Sequence, residues 1–158
     1  MATATEDIAK TRVLHFDPRT VRKMVRRVRM DQGRRAFLST ERRACRRVPV
    51  RRPVYVTPVI VEGATLRLPA PGLAYTLAYT TNVSPRGIGF THDEPMLTRH
   101  AIVTFDLLDA EPVSLVIQIQ WSRCRGDRWY TSGGKFIAVT DTPPLLSYVP
   151  DRGIPSLN

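Results

Sequence analysis

The chain has 158 residues, 42% apolar and 24% charged, with a formal net charge of +10 at pH 7. Those values fit one domain with its own core plus extensions, and exclude an intrinsically disordered chain. No apolar run approaches the ~20 residues of a spanning helix, and the opening MATATEDIAKTR has Glu6 and Asp7 where a signal peptide has an apolar core, so a soluble cytoplasmic protein is expected.

The charge is unevenly spread. Residues 1–52 hold 16 Lys and Arg against 5 Asp and Glu, whereas the rest of the chain holds 8 against 9. Such concentration marks either a segment that meets a polyanion or a densely solvated helix face.

In chain order, residues 1 to about 16 show no period and read as a loosely docked arm. Phe16-Asp17-Pro18 is a helix start: an acid to cap it, proline at the first helical position, and an apolar residue placed to staple onto Val21. Val21, Met24, Val25 and Val28 then repeat at helical spacing, with Arg22, Lys23, Arg26, Arg27 and Arg29 on the other faces. The basic helix is expected to end near Gln32, with Gly33 as its C-terminal cap.

Arg34 to Thr40 reads as a short connector or a second helical turn, with Phe37 and Leu38 as anchors, and beyond it the stretch ERRACRRVPVRRPVYVTPVIVEG passes from arginine clusters into a valine-rich strand, Val54 to Val61. Pro53 and Pro58 suggest an edge or an interrupted strand. Further strands are expected at Thr65–Leu68, Tyr75–Thr81, Gly87–Thr91, Ala101–Leu107, Val113–Trp121, Trp129–Thr131 and Lys135–Val139, with a hairpin turn at Gly126-Asp127. Short strands at this spacing imply an all-β barrel or sandwich. The division is 1–40 for the basic arm and helix, 41–141 for the β domain, and 142–158 for a tail.

Cys45 and Cys124 lie far apart without a C-x-x-C spacing, and His15, His92 and His100 are scattered. Neither a metal site nor a catalytic constellation can be read from them, so a non-enzyme without a cofactor is expected. SGGK at Ser132–Lys135 lacks the Ser/Thr and the helix of a phosphate loop. Trp121 and Trp129 read as packing residues.

Two segments stand out together. Arg42-Arg43-Ala44-Cys45-Arg46-Arg47-Val48 precedes the first long strand, and Asn82-Val83-Ser84-Pro85-Arg86-Gly87 ends a later one. They resemble RxxxR and (D/N)xSxxG, the paired motifs of the PilZ domain family, in the family's order. The stretch Gly133–Phe136 is similar to the Gly-x-x-Phe ending of its late hairpin. The resemblance covers Glu41 to Asp141 and implies a six-stranded antiparallel barrel that binds cyclic di-GMP. Both Arg42/Arg46 and Arg43/Arg47 satisfy RxxxR; the family's habit of placing the second arginine against the strand favours Arg43/Arg47, with Arg42 and Arg46 as extra contacts.

The resemblance implies that Asn82 and Ser84 read a guanine edge or the ligand backbone, and that Gly87 admits a close approach. Arginine suits such a ligand independently: its planar fork bridges phosphate oxygens, addresses guanine O6 and N7, and stacks on a purine. At about 1.5–3 kcal/mol per charged hydrogen bond, two or three such contacts supply much of the ~8 kcal/mol of a micromolar complex. Asn82 and Ser84 also suit an ordinary turn with local side-chain bonds.

The expected function is therefore a second-messenger receptor whose N-terminal segment reorients on binding and signals to a downstream protein, with homodimerisation left open. Two alternatives stand beside it: a nucleic-acid-binding protein working through the basic helix, and a PilZ adaptor that binds no nucleotide.

Overall fold

A computed structural model describes residues 12–38, 52–67, 75–107 and 110–141. The arginine cluster at 42–47, the first eleven residues and the tail from 142 onward lie outside the described residues.

The helix α1 spans Pro18–Leu38. Asp17 caps it as the sequence requires: its carboxylate accepts from the amides of Arg19 (3.2 Å) and Thr20 (3.3 Å) and from the Thr20 hydroxyl (2.9 Å). The Thr20 hydroxyl leads the bonds that hold the Asp17 carboxyl below the usual carboxylate range. Phe16, the expected staple, remains 42% exposed. Nor does Gly33 end the helix. Positive φ among the described glycines occurs at Gly63 and Gly126, so Gly33 never makes the left-handed turn that stops a helix, and α1 runs on to Leu38.

The strands are β1 (Arg12–Val13), β2 (Pro53–Glu62), β3 (Thr65–Arg67), β4 (Thr76–Val83), β5 (Gly87–His92), β6 (His100–Phe105), β7 (Val113–Cys124) and β8 (Tyr130–Thr140). All pairings are antiparallel. The hydrogen-bonded order β2–β4–β5–β8–β7–β6 returns to its first strand, because β6 also pairs with β2. Among the described residues the protein is all-β with one helix, packed against β7 and β8.

Two expectations change. First, β2 is interior, serving β4 through Pro53–Val56, β6 through Tyr55–Val59 and β3 through Ile60–Glu62. Its prolines are tolerated because Pro53 opens the strand and Pro58 lies beyond the last β4 pair, Val56 with Thr76. Second, Tyr130-Thr131 and Lys135–Val139, expected on separate strands, belong to one strand, β8, which leaves Trp129 in the turn and runs unbroken through Gly133 and Gly134 because β5 and β7 pair with them on either side. The hairpin before β8 has the expected place: Trp129 N–H donates to the Gly126 carbonyl (3.0 Å) across Asp127 and Arg128, whose φ values of 41° and 68° are those of a primed turn.

Val21, Val25 and Val28 of α1 join Val54, Phe90, Phe105, Leu115 and Ile117 in the main core. A second cluster, with Leu14, Val59, Leu66, Ile102 and Val116, buries residues of alternate parity in β6 and β7. The end of the N-terminal arm is thus pinned: β1 pairs with β3, and His15 bridges Val139 of β8.

Among these apolar contacts stands a buried ion pair. Arg52, immediately before β2, is 3% exposed and its guanidinium meets the carboxylate of Asp31 on α1, itself 7% exposed. The Arg52 amide donates to the Thr80 hydroxyl (3.1 Å) and its carbonyl accepts from the Thr80 amide (2.9 Å). Removing one member of a buried pair takes away charge compensation from the other, at a cost of up to about 3–5 kcal/mol. Asp31→Ala is accordingly expected to lower unfolding stability in urea by about that amount, and the double variant Asp31→Leu/Arg52→Met to recover most of it.

Candidate functional site

The NxSxxG segment forms the end of β4, a turn, and the start of β5. Between Thr80 and Asn82 the register with β5 shifts: Thr80 faces Phe90 and Asn82 faces Gly89. Such a bulge re-aims the side chain that follows it. Thr80 is buried, whereas Asn82 and Ser84 are exposed. Asn82 Oδ1 accepts from the Gly89 amide (3.1 Å), which leaves its Nδ2 protons for another acceptor. Ser84 Oγ accepts from the Gly87 amide (3.1 Å) and the Arg86 amide (3.3 Å), and the Ser84 amide donates to the Gly87 carbonyl (2.9 Å).

Asn82, Ser84 and Gly87 therefore come together, and each has a local structural role. A Cβ on Gly87 would collide with the carbonyl oxygen of Gly134. The close approach it permits is that of β8, where sequence reasoning placed a ligand or linker. Arg86 is exposed, and its carbonyl accepts from the Phe136 amide (2.9 Å), tying the turn to β8. Arg42, Arg43, Arg46 and Arg47 lie outside the described residues; the chain next enters at Arg52, whose backbone is bonded to Thr80, two residues before Asn82.

Strand pairing extends this face across the sheet. Asn82 is opposite Gly89, Gly89 opposite Gly133, and Gly133 opposite Trp121, which follows a second register shift in β7. Directly opposed residues share a face, so the four form one cross-strand row. The alternate residues Ile88 and Phe90 enter the core, and the row therefore faces outward. The Trp121 indole occupies the space a Cβ on Gly133 would fill. Trp121 is 42% and Trp129 51% exposed, which corrects the expectation that they pack inside. Both belong to the protruding β7–β8 hairpin, where Gln120 to Trp129 are all exposed.

Sequence reasoning missed His92. It is fully buried, with Nδ1 at the Glu94 carbonyl (2.5 Å) and Nε2 at the Ser132 hydroxyl (2.7 Å), and Ser132 Oγ lies 2.8 Å from Ser122 Oγ. A carbonyl can only accept, so Nδ1 carries the proton and the Ser132 hydroxyl donates to Nε2. The available signal was parity: Ile88, Phe90 and His92 alternate onto the inward face of β5. Arg52 was hidden among other arginines. Asp31, three residues after Val28, was legible as an acid on the apolar stripe of α1.

No family model, curated protein or solved structure matches the chain. Among the described residues no three His, Cys, Asp or Glu side chains are grouped to hold a metal ion, and no helix is long and apolar enough to cross a membrane. Cys124 is an exposed free thiol.

Burial pushes the His92 imidazole below its ordinary value, outweighing the Glu94 carbonyl bond and the nearby Asp93 charge, which act in the opposite sense. The unfolded chain, with a histidine near 6.5, therefore binds a proton that the folded chain refuses. This contribution to stability is present above about pH 6.5 and lost as the pH falls through the depressed folded value. Urea midpoints between pH 7.5 and 5 are expected to fall more steeply for the native chain than for His92→Gln.

Proposed function

We propose that the chain is a cyclic di-GMP receptor of the PilZ type, its returning order of six strands being that family's barrel. The observation that carries the reading is where the described chain resumes. Arg52, immediately before β2 and five residues after Arg47, is bonded through its backbone to Thr80, two residues before Asn82, so the entry to β2 and the NxSxxG turn lie at the same end of the β2–β4 pair. Arg43 and Arg47 would clasp the phosphates and a guanine of the ligand, with Arg42 and Arg46 as further contacts. Asn82 would offer its Nδ2 protons, while Ser84 and Gly87 would shape the turn that presents it.

The proposed signal is a hinge in the arginine segment. Three buried valines and the Asp31–Arg52 pair hold α1 to the sheet, and undocking valines alone costs roughly 1.5–3 kcal/mol for each. Ligand phosphates drawing in the arginines would therefore move the connection between Leu38 and Arg52 more readily than the docked part of α1.

A second reading has its own observation. Arg19, Arg22, Lys23, Arg26, Arg27 and Arg29 are all exposed while the valines of the same helix are buried, which leaves an outward basic face suited to duplex phosphates. Calorimetric titration with cyclic di-GMP separates the two. The receptor reading expects saturable micromolar binding, weakened at least tenfold in Arg43→Ala/Arg47→Ala. Absent binding, together with duplex affinity that falls steeply with salt and is lost in Arg22→Ala/Arg26→Ala, would overturn it in favour of the second.

A further inference from the structure

Both tryptophans of the chain stand in the β7–β8 hairpin, where Gln120 to Trp129 are all exposed. An indole is mostly buried in a folded protein, so two left in water within one hairpin mark a surface that something else covers. We propose that this hairpin is a docking face for an anionic phospholipid bilayer, its indoles entering the headgroup layer and its arginines pairing with lipid phosphates. Lipid docking needs no bound nucleotide, so it stands apart from the receptor reading above.

Strand pairing sorts the hairpin into two faces. Trp121 is opposite Gly133 and Arg123 opposite Thr131, and past the Cys124–Tyr130 pair the Arg125 amide donates to the Trp129 carbonyl (2.7 Å). Opposed and alternate residues share a face, so Trp121, Arg123, Arg125 and Trp129 lie together, two rings flanking two guanidiniums. The Arg123 guanidinium is 5.8 Å from the Trp121 ring centre, which keeps charge beside the indole. On the other face, Ser122 Oγ lies 2.8 Å from Ser132 Oγ, and the Tyr130 ring stacks at 5.6 Å on the buried His92. These contacts tie the base of the hairpin to β5 and leave the tryptophan and arginine face outward.

The chemistry of that face selects the partner. Within Gln120–Trp129 three arginines stand against one acid, Asp127, so the surface attracts anions. An indole joins an apolar body to a single N–H donor, the combination that settles at the headgroup level of a bilayer. An arginine beside it binds phosphate through its planar fork while its stem stays in the less polar layer. The shape agrees. β6 pairs with β7 no further than Gln118, and β5 with β8 no nearer the turn than Tyr130, so the hairpin projects beyond its neighbours. A projecting ribbon can enter a flat, fluid surface, whereas a nucleic-acid strand is held along a groove. The exposed basic side of α1 adds electrostatic attraction to the same kind of surface.

The native chain carries its own probe, since both indoles report from the hairpin. Vesicles of phosphatidylglycerol mixed with phosphatidylcholine are expected to shift its emission to shorter wavelength, and lipids brominated on the acyl chain to quench it. Vesicles of phosphatidylcholine alone should bind at least about tenfold more weakly, and Arg123→Glu/Arg125→Glu should lose the shift. Sedimentation with the mixed vesicles at unchanged emission would place the contact on the basic helix and overturn the proposal. So would equal affinity for phosphatidylcholine alone, a native shift in the Arg123→Glu/Arg125→Glu variant, or no vesicle binding at all. An emission shift on single-stranded oligothymidylate with none on vesicles would overturn it in favour of a nucleic-acid strand. The emission and quenching of the native chain read the contact without any variant.

Discussion

The fold turns on a charge pair placed where charge is costly. Arg52 and Asp31 are both almost fully withdrawn from water, where each offsets the other's charge. Hydrophobic packing alone would let the valine stripe of α1 slide or rotate over an apolar surface, since burial has no direction. The ion pair allows one placement. It also ties three parts of the chain together, because the residue that grips the helix through its side chain grips β4 through its backbone. The end of the arginine-rich linker, the helix and the strand that carries Asn82 therefore share one anchor.

From that anchor, the outer face follows from close backbone approaches. Gly87 lets β5 draw against Gly134, and Gly133 makes room for an indole. Register shifts in β4 and β7 reset the parity of each strand as it leaves the core region. Thr80 is inside and Asn82 outside for this reason, although the interval between them would put both on one face of a regular strand. On the outer face that results, Thr81 and Asn82 cover Gly89 and the Trp121 indole covers Gly133, directly behind a core wall that includes Phe90 and Ile88.

The basic helix takes its meaning from its docked side. Its valines face the core, so what its described residues offer to solvent is mainly charge. That leaves electrostatic attraction to anions, in which six exposed basic side chains would raise the local concentration of a phosphorylated ligand or a polyanion.

Much was legible from residue order alone. The helix start at Asp17-Pro18, the inward valines, the primed turn after Gly126 and nearly every strand follow from local stereochemistry and from periodicity, which act over a few residues. So does the gathering of Asn82, Ser84 and Gly87 in one turn. Other features required the folded chain. Whether Gly33 ends a helix depends on a φ angle that packing sets, and whether β8 is one strand or two depends on the neighbours that pair with Gly133 and Gly134. The burial of His92, the partnership of Asp31 with Arg52 and the row linking Asn82 to Trp121 each join residues between 21 and 40 positions apart. Sequence determined which side chains could bond and which way each strand would alternate. Only the tertiary structure decided which of them met, because strand register and two bulges, properties of pairs of strands, fix those distances.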